Sequence, residues 1–141
     1  MPAIIHSGMP FAKVLYLAMA ALAGILAVVL VTLNTGCSID DCIGASLEAY
    51  RIWYWLVAIP GLCIVSASLG YVSPRKAWIW GLAPLAAQWL WEVLGSTTVG
   101  TGNLGPFAHV VVLATYALSA IPGIIVAEIA AYVSKRKGTA A

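Results

Sequence analysis

Four apolar runs separated by short polar stretches organise this chain: Phe11–Leu33, Ile52–Val72, Ala77–Val99 and Phe107–Val133. A helix needs about 20 such residues, at 1.5 Å each, to cross a hydrocarbon core of about 30 Å. Each run meets that length, and the last is long enough to tilt. The pattern therefore predicts an all-α integral membrane fold, a four-transmembrane-helix bundle forming a single membrane domain over residues 1–141. The longest connection expected is Asn34–Arg51, too short for a soluble domain. The first run is longer than the 7–15-residue core of a signal peptide. The stretch Leu33-Asn34-Thr35-Gly36-Cys37 departs at Asn34 from a lipoprotein cleavage box, so the first run is expected to stay as a span.

Composition agrees with a bilayer as solvent. The chain is 62% hydrophobic and 9% charged, whereas a soluble domain carries about 25% charged residues. Six of the seven basic residues fall at Lys13, at Arg75 and Lys76, and at Lys135, Arg136 and Lys137. Lys13 lies near the start of the first run, Arg75 and Lys76 separate the second from the third, and Lys135, Arg136 and Lys137 follow the fourth. Lys/Arg excess marks cytoplasmic segments, so both termini are expected inside, with two outside loops. The implied location is the bacterial inner membrane, with the lipid bilayer as surroundings. Nothing resembles a nucleic-acid footprint, a phosphate-cradling loop or Cys/His metal spacing, so no nucleic acid, metal or cofactor is expected.

Ala58-Ile59-Pro60-Gly61 recurs as Ala120-Ile121-Pro122-Gly123, and Tyr71-Val72-Ser73 recurs as Tyr132-Val133-Ser134, each followed by basic residues. The first and third runs match more weakly, at Lys13 with Lys76 and Leu22-Ala23 with Leu85-Ala86. Two tandem helical hairpins are expected, entering from the same side as a parallel repeat. The two prolines should kink their helices. In lipid the carbonyl each one frees needs a donor, and Ser119 stands near the second.

Lipid gives helices little reason to associate, so small residues should mark their contacts. The fourth run carries Thr115, Ser119, Gly123, Ala127 and Ala131, four apart on one face. Ala20 and Gly24 in the first run and Ser66 and Gly70 in the second offer matching positions. These faces suit the bundle's own interior, self-association or a partner's helix. Trp53, Tyr54 and Trp55 at one boundary, and Trp78 and Trp80 at the other, read as aromatic belts at headgroup depth.

The third run concentrates the candidate chemistry. At about 100° per residue, Gly81, Pro84, Gln88, Glu92 and Gly95 share one face, flanked by Trp78 and Trp89 on one side and Trp80 and Trp91 on the other. An ionisable group at membrane depth is a functional-site candidate. Glu92, with Gln88, Trp89 and Trp91, thus forms a candidate ligand or proton site, with Arg51 and His109 as partners for the carboxylate. Simple pairing of Glu92 with Arg51 accounts for the same residues structurally. Glu128, nearer the inner end, suits an interfacial role. The repeat duplicates neither acid, since Glu92 aligns near Val29 and Glu128 near Ser66, which argues against two symmetric transport sites.

Cys37 and Cys42 flank four residues of the first outside loop, where an oxidising compartment favours a disulfide. Cys63, within the second run, reads as packing. In topology the chain resembles the four-helix membrane oxidoreductases that pass electrons from periplasmic thiols to quinone. That resemblance implies thiol exchange at Cys37 and Cys42. The chain departs from it in having four residues between the cysteines, and none from Thr98 to Pro106. With no catalytic constellation visible, the leading expectation is a non-enzymatic accessory or structural subunit of a larger membrane complex. The second is a small homo-oligomeric transporter or channel using Glu92, and the third a thiol–disulfide oxidoreductase.

Overall fold

The computed structural model describes residues 9–37, 44–99 and 106–139, and among them every regular element is helical. Helix α1 spans Met9–Thr35, α2 spans Ala45–Val72, α3 spans Trp78–Val99 and α4 spans Pro106–Thr139. Three stretches within them, Phe11–Thr35, Ala45–Val72 and Leu113–Gly138, are long and apolar enough to cross a membrane. Helix α3 has 22 residues, about 33 Å at 1.5 Å each. The helices outrun the apolar runs. Helix α2 begins seven residues before Ile52, and α4 carries Lys135–Lys137 in its last turns. Apolarity ends where the surroundings change, whereas backbone hydrogen bonding ends only where a cap or turn breaks it.

Each helix directs bulky apolar side chains outward: Leu22 and Leu30 on α1, Leu56 and Ile64 on α2, Leu90 on α3, and Leu118 and Ile129 on α4. Inward it directs small or polar ones, among them Ala20, Ser66, Gln88, Ser119, Ala127 and Ala131. This inverts the soluble pattern, and it suits helices that must pack without a hydrophobic driving force.

The packing runs α1 on α3, α3 on α4 and α4 on α2, and each of these seams turns on a glycine. At Gly24 a β-carbon would overlap the Pro84 carbonyl; at Gly81 it would overlap the Ile124 backbone; at Gly70 it would overlap the Ala127 backbone. Gly123 faces Gly81, and a β-carbon there would stand 3.4 Å from Gly81 Cα. The fourth seam, between α1 and α2, has no such contact among the described residues and is the loosest of the ring. Gly61, on its α2 side, faces open space.

Three prolines are accommodated in three ways. Pro84 leaves the Trp80 carbonyl without its helical donor, and Ser66 Oγ on α2 donates to that oxygen at 3.0 Å. Pro60 follows a π turn at Tyr54–Ala58, in which the Ile59 N–H reaches the Tyr54 carbonyl one residue beyond the α-helical partner. Pro122 sits within an unbroken α4. Ser119 Oγ, expected to serve the carbonyl Pro122 frees, donates instead to the Thr115 and Tyr116 carbonyls, both at 3.0 Å. The two Pro-Gly steps of the sequence repeat therefore have different surroundings.

One end of the bundle is gathered by specific contacts. Tyr16 meets Trp80 edge-on at 6.2 Å, and Ala77 packs with Ala131 in one core cluster. Trp80 Nε1 donates to the Ser73 carbonyl at 3.0 Å, tying down the α2–α3 turn. Glu128 Oε1 accepts the Trp78 N–H at 3.0 Å, so the acid expected at an interface serves the start of α3. A carboxylate is favoured there because the first N–H groups of a helix lack internal partners. The start of α1, the α2–α3 turn and the end of α4, with Lys13, Arg75, Lys76 and Lys135–Lys137, thus share this end.

The aromatic belts need correction. Trp53, Trp55 and Trp78 face outward, but Tyr54 and Trp80 are core residues. Consecutive helical positions are about 100° apart, so three in a row cannot share a face.

The glycine seams predict an order of sensitivity. Gly24→Ala, Gly70→Ala and Gly81→Ala should each lower unfolding stability by about 1–3 kcal/mol through overpacking. Gly61→Ala should be neutral or stabilising by up to about 1 kcal/mol, since it removes a helix-interior glycine and touches nothing. Reversible unfolding in detergent micelles measures both; a Gly81→Ala protein as stable as the parent would refute the tight crossing.

Candidate functional site

The described part of the small and polar stripe of α3, from Gly81 to Gln88, faces the other helices. Gly81, Pro84 and Gln88 are buried, and the Gln88 side chain has no solvent exposure. Its position follows from the helical repeat, which carries Gly81 to Pro84 and Gln88 on one face. Gly24 lets α1 approach Pro84, and one turn later the same approach puts the Gly24 carbonyl within reach of the amide. Gln88 Nε2 donates to Gly24 O at 3.0 Å, and Gln88 Oε1 accepts the Tyr54 hydroxyl at 2.9 Å. One amide therefore ties α1, α2 and α3 together. Leaving either of its ends unpaired would cost about 1–3 kcal/mol.

Tyr54 opens the π turn of α2, and its ring sits among aromatics. Tyr50 stacks on it at 6.2 Å and 9°, and Tyr116 of α4 meets it edge-on at 6.3 Å. The cluster continues through Val31, Leu62, Leu85 and Ala120. Tyr54 was read from the sequence as a boundary residue. The signal that marks it as interior is the i, i+4 series Tyr50, Tyr54, Ala58, Leu62 and Ser66, all buried.

The tryptophans of the stripe divide. Trp89 packs against the core cluster, and its Nε1 is shielded from solvent with no hydrogen-bond partner among the described residues. Trp91 is 48% exposed on the outer face. Glu92 continues the α3 stripe one turn beyond Gln88, and His109 lies in the first turn of α4, but both side chains fall outside the described ones. Arg51 pairs with Glu48, three residues earlier on its own helix, at 3.5 Å, with both side chains about two-thirds exposed (64% and 68%).

Cys37 follows α1 and packs partly against the Val31–Tyr50 cluster, whereas Cys42 lies outside the described residues. Cys63 is a half-buried free thiol in α2. Among the described residues no group of three or more His, Cys, Asp or Glu side chains is placed to hold a metal ion.

Ser119, Gly123, Ala127 and Ala131 are all buried where α4 meets α2 and α3. Thr115, at the head of the same stripe, is exposed. The stripe is thus occupied within the chain along most of its length.

The arrangement around Gln88 is a clamp. Its amide carries no titratable proton and both ends are engaged, so by itself it orients and fastens. A double-mutant cycle between Tyr54→Phe and Gln88→Ala should give a coupling of about 0.6–1.7 kcal/mol, the upper range for hydrogen bonds between membrane helices. Unfolding in detergent measures it, and additive effects would show that the hydroxyl and amide do not support each other.

No family model matches this sequence, and no curated protein or solved structure is detectably similar to it.

Proposed function

We propose that this chain is an integral membrane protein of four spans with both termini in the cytoplasm, placed in a bacterial inner membrane. In this reading it serves as a non-catalytic accessory or structural subunit of a larger membrane complex. The observation that carries the reading is the use made of interior polar groups. Gln88, Tyr54, Ser66 and Ser119 are each hydrogen-bonded within the bundle, which is what a helix assembly needs for cohesion in lipid. The exterior is broadly apolar on all four helices, and the basic residues gather at the end proposed to face the cytoplasm. Cys37 and Cys42 would brace the first outer loop as a disulfide.

Glu92 favours a second reading, a small homo-oligomeric transporter or channel. It lies four residues after Gln88 on α3, and an acid within a membrane span is costly to keep without a use. The oxidoreductase reading rests on Cys37 and Cys42 alone and is the weakest.

Two measurements separate these readings. Reporter fusions should place Asn103 outside and the C-terminus inside; a cytoplasmic Asn103 would overturn the topology. Native mass spectrometry of the assembly extracted in mild detergent should show a stoichiometric larger partner. A homo-oligomer of this chain alone would favour transport, in which case Glu92→Gln should abolish flux while leaving assembly intact.

A further inference from the structure

The seam between α1 and α2 holds a cleft of about 410 Å³, almost wholly apolar, running from Ala23 to Asn34 on α1 and from Trp53 to Val65 on α2. Ala23, Ala27, Ala58 and Gly61 keep it open, and Gly61 would meet nothing within 4 Å even with a β-carbon added. Its exposed rim, at Leu26, Leu30 and Val57, faces the surroundings of the bundle. We propose that this cleft is a binding site for one acyl chain of a phospholipid.

Three features select that occupant. The first is width. From Ala23 to Asn34 is eleven helical steps, which makes the cleft about 16 Å long at 1.5 Å each, and its volume spread over that length leaves a narrow slot. Such a slot takes a single polymethylene chain along its length, whereas a helix, about 10–12 Å across with its side chains, could lay only a ridge of side chains into it. The second is length. A hydrocarbon core of about 30 Å gives each leaflet about 15 Å of acyl layer, so the cleft is one leaflet deep. The third is polarity at one end only. Asn34 and Trp53 close the cleft at the end away from the basic cluster, with an amide and an indole suited to ester and headgroup depth. Arg51, two residues before Trp53, is paired with Glu48 at 3.5 Å on an exposed surface, a weak pair that a phosphate at that level would compete for. The lipid would fill the seam that lacks a glycine contact, taking the place that backbone-to-backbone packing holds in the other three.

The proposal rests on the membrane reading, and its test keeps the two apart. Release of the chain from membranes by alkaline carbonate would end the membrane reading itself. With the chain retained, the protein is reconstituted in nanodiscs containing a phospholipid whose acyl chain carries a diazirine, irradiated, and mapped by peptide mass spectrometry. Adducts should concentrate several-fold in 23–34 and 53–65 over the outer faces of α3 and α4. Gly61→Phe, which fills the cleft, should remove that excess, whereas Ile64→Phe, on the outer face of α2, should leave it. Circular dichroism and unfolding stability confirm that both variants fold. Adducts spread evenly over all apolar faces would overturn the proposal, as would an excess unchanged by Gly61→Phe. A cleft protected from lipid by a cross-linkable partner helix would overturn it too.

Discussion

Backbone-to-backbone approach at three glycines is the contact on which this bundle depends. In water, four amphipathic helices associate because each hides an apolar face. In lipid that gain is absent, and helices stay together through close van der Waals packing and the hydrogen bonds that closeness permits. Gly24 against Pro84, Gly81 against Gly123 and Gly70 against Ala127 supply the closeness. Without the first, the Gly24 carbonyl would not come within reach of Gln88. Without the second, Ser66, which sits 3.4 Å from the β-position of Gly123, would lose its place beside the Trp80 carbonyl.

Packing and polar satisfaction are therefore one problem in this chain. Pro84 inside α3 leaves the Trp80 carbonyl without its helical donor, and in a bilayer no water would be there to repair the loss. The repair comes from a serine on a neighbouring helix, held there by small residues around it. A buried amide is tolerable for the same reason, since Tyr54 and Gly24 take up both of its ends. The π turn in α2 belongs to the same economy. It shifts the helix by one residue just before Pro60, and both Tyr54 and Ala58 stay buried through it.

The all-helical character and the helix count were legible, because runs of about 20 apolar residues have few other meanings. The small-residue faces were legible too, since Ser66, Gly70, Ala20, Gly24 and the Ser119–Ala131 stripe all follow the helical repeat, but whether they serve the bundle's interior, a second copy or a partner was not. Helix ends were not, because α2 and α4 continue through polar turns that hydropathy reads as loop. Tyr54 departs from the belt its neighbours suggest because helical phase turns it into the core while Trp53 and Trp55 face outward. The pairing of Arg51 with Glu48 was hidden for a related reason. A contact between two exposed side chains three residues apart competes with any long-range partner, and it needs no tertiary arrangement to form.

The functional consequence lies in what the interior has already used. A small-residue stripe such as Ser119, Gly123, Ala127 and Ala131 is an attractive docking face only while unoccupied, and here α2 and α3 occupy it. An accessory subunit built this way would have to meet its partner through bulky outer side chains. Contacts of that kind are less able to bring backbones close, and so are weaker per unit of surface in lipid. The α1–α2 seam is the loosest of the ring, although Val31 still packs in one cluster with Tyr54, Ala58 and Leu62 there. Whatever fills that seam also sets how α1 sits against α2, because no glycine contact there fixes the spacing. A narrow apolar occupant would hold the two helices apart at a constant distance and leave the tight core on the far side undisturbed. If the proposed acyl chain occupies it, this seam is where a lipid would set the spacing of α1 and α2.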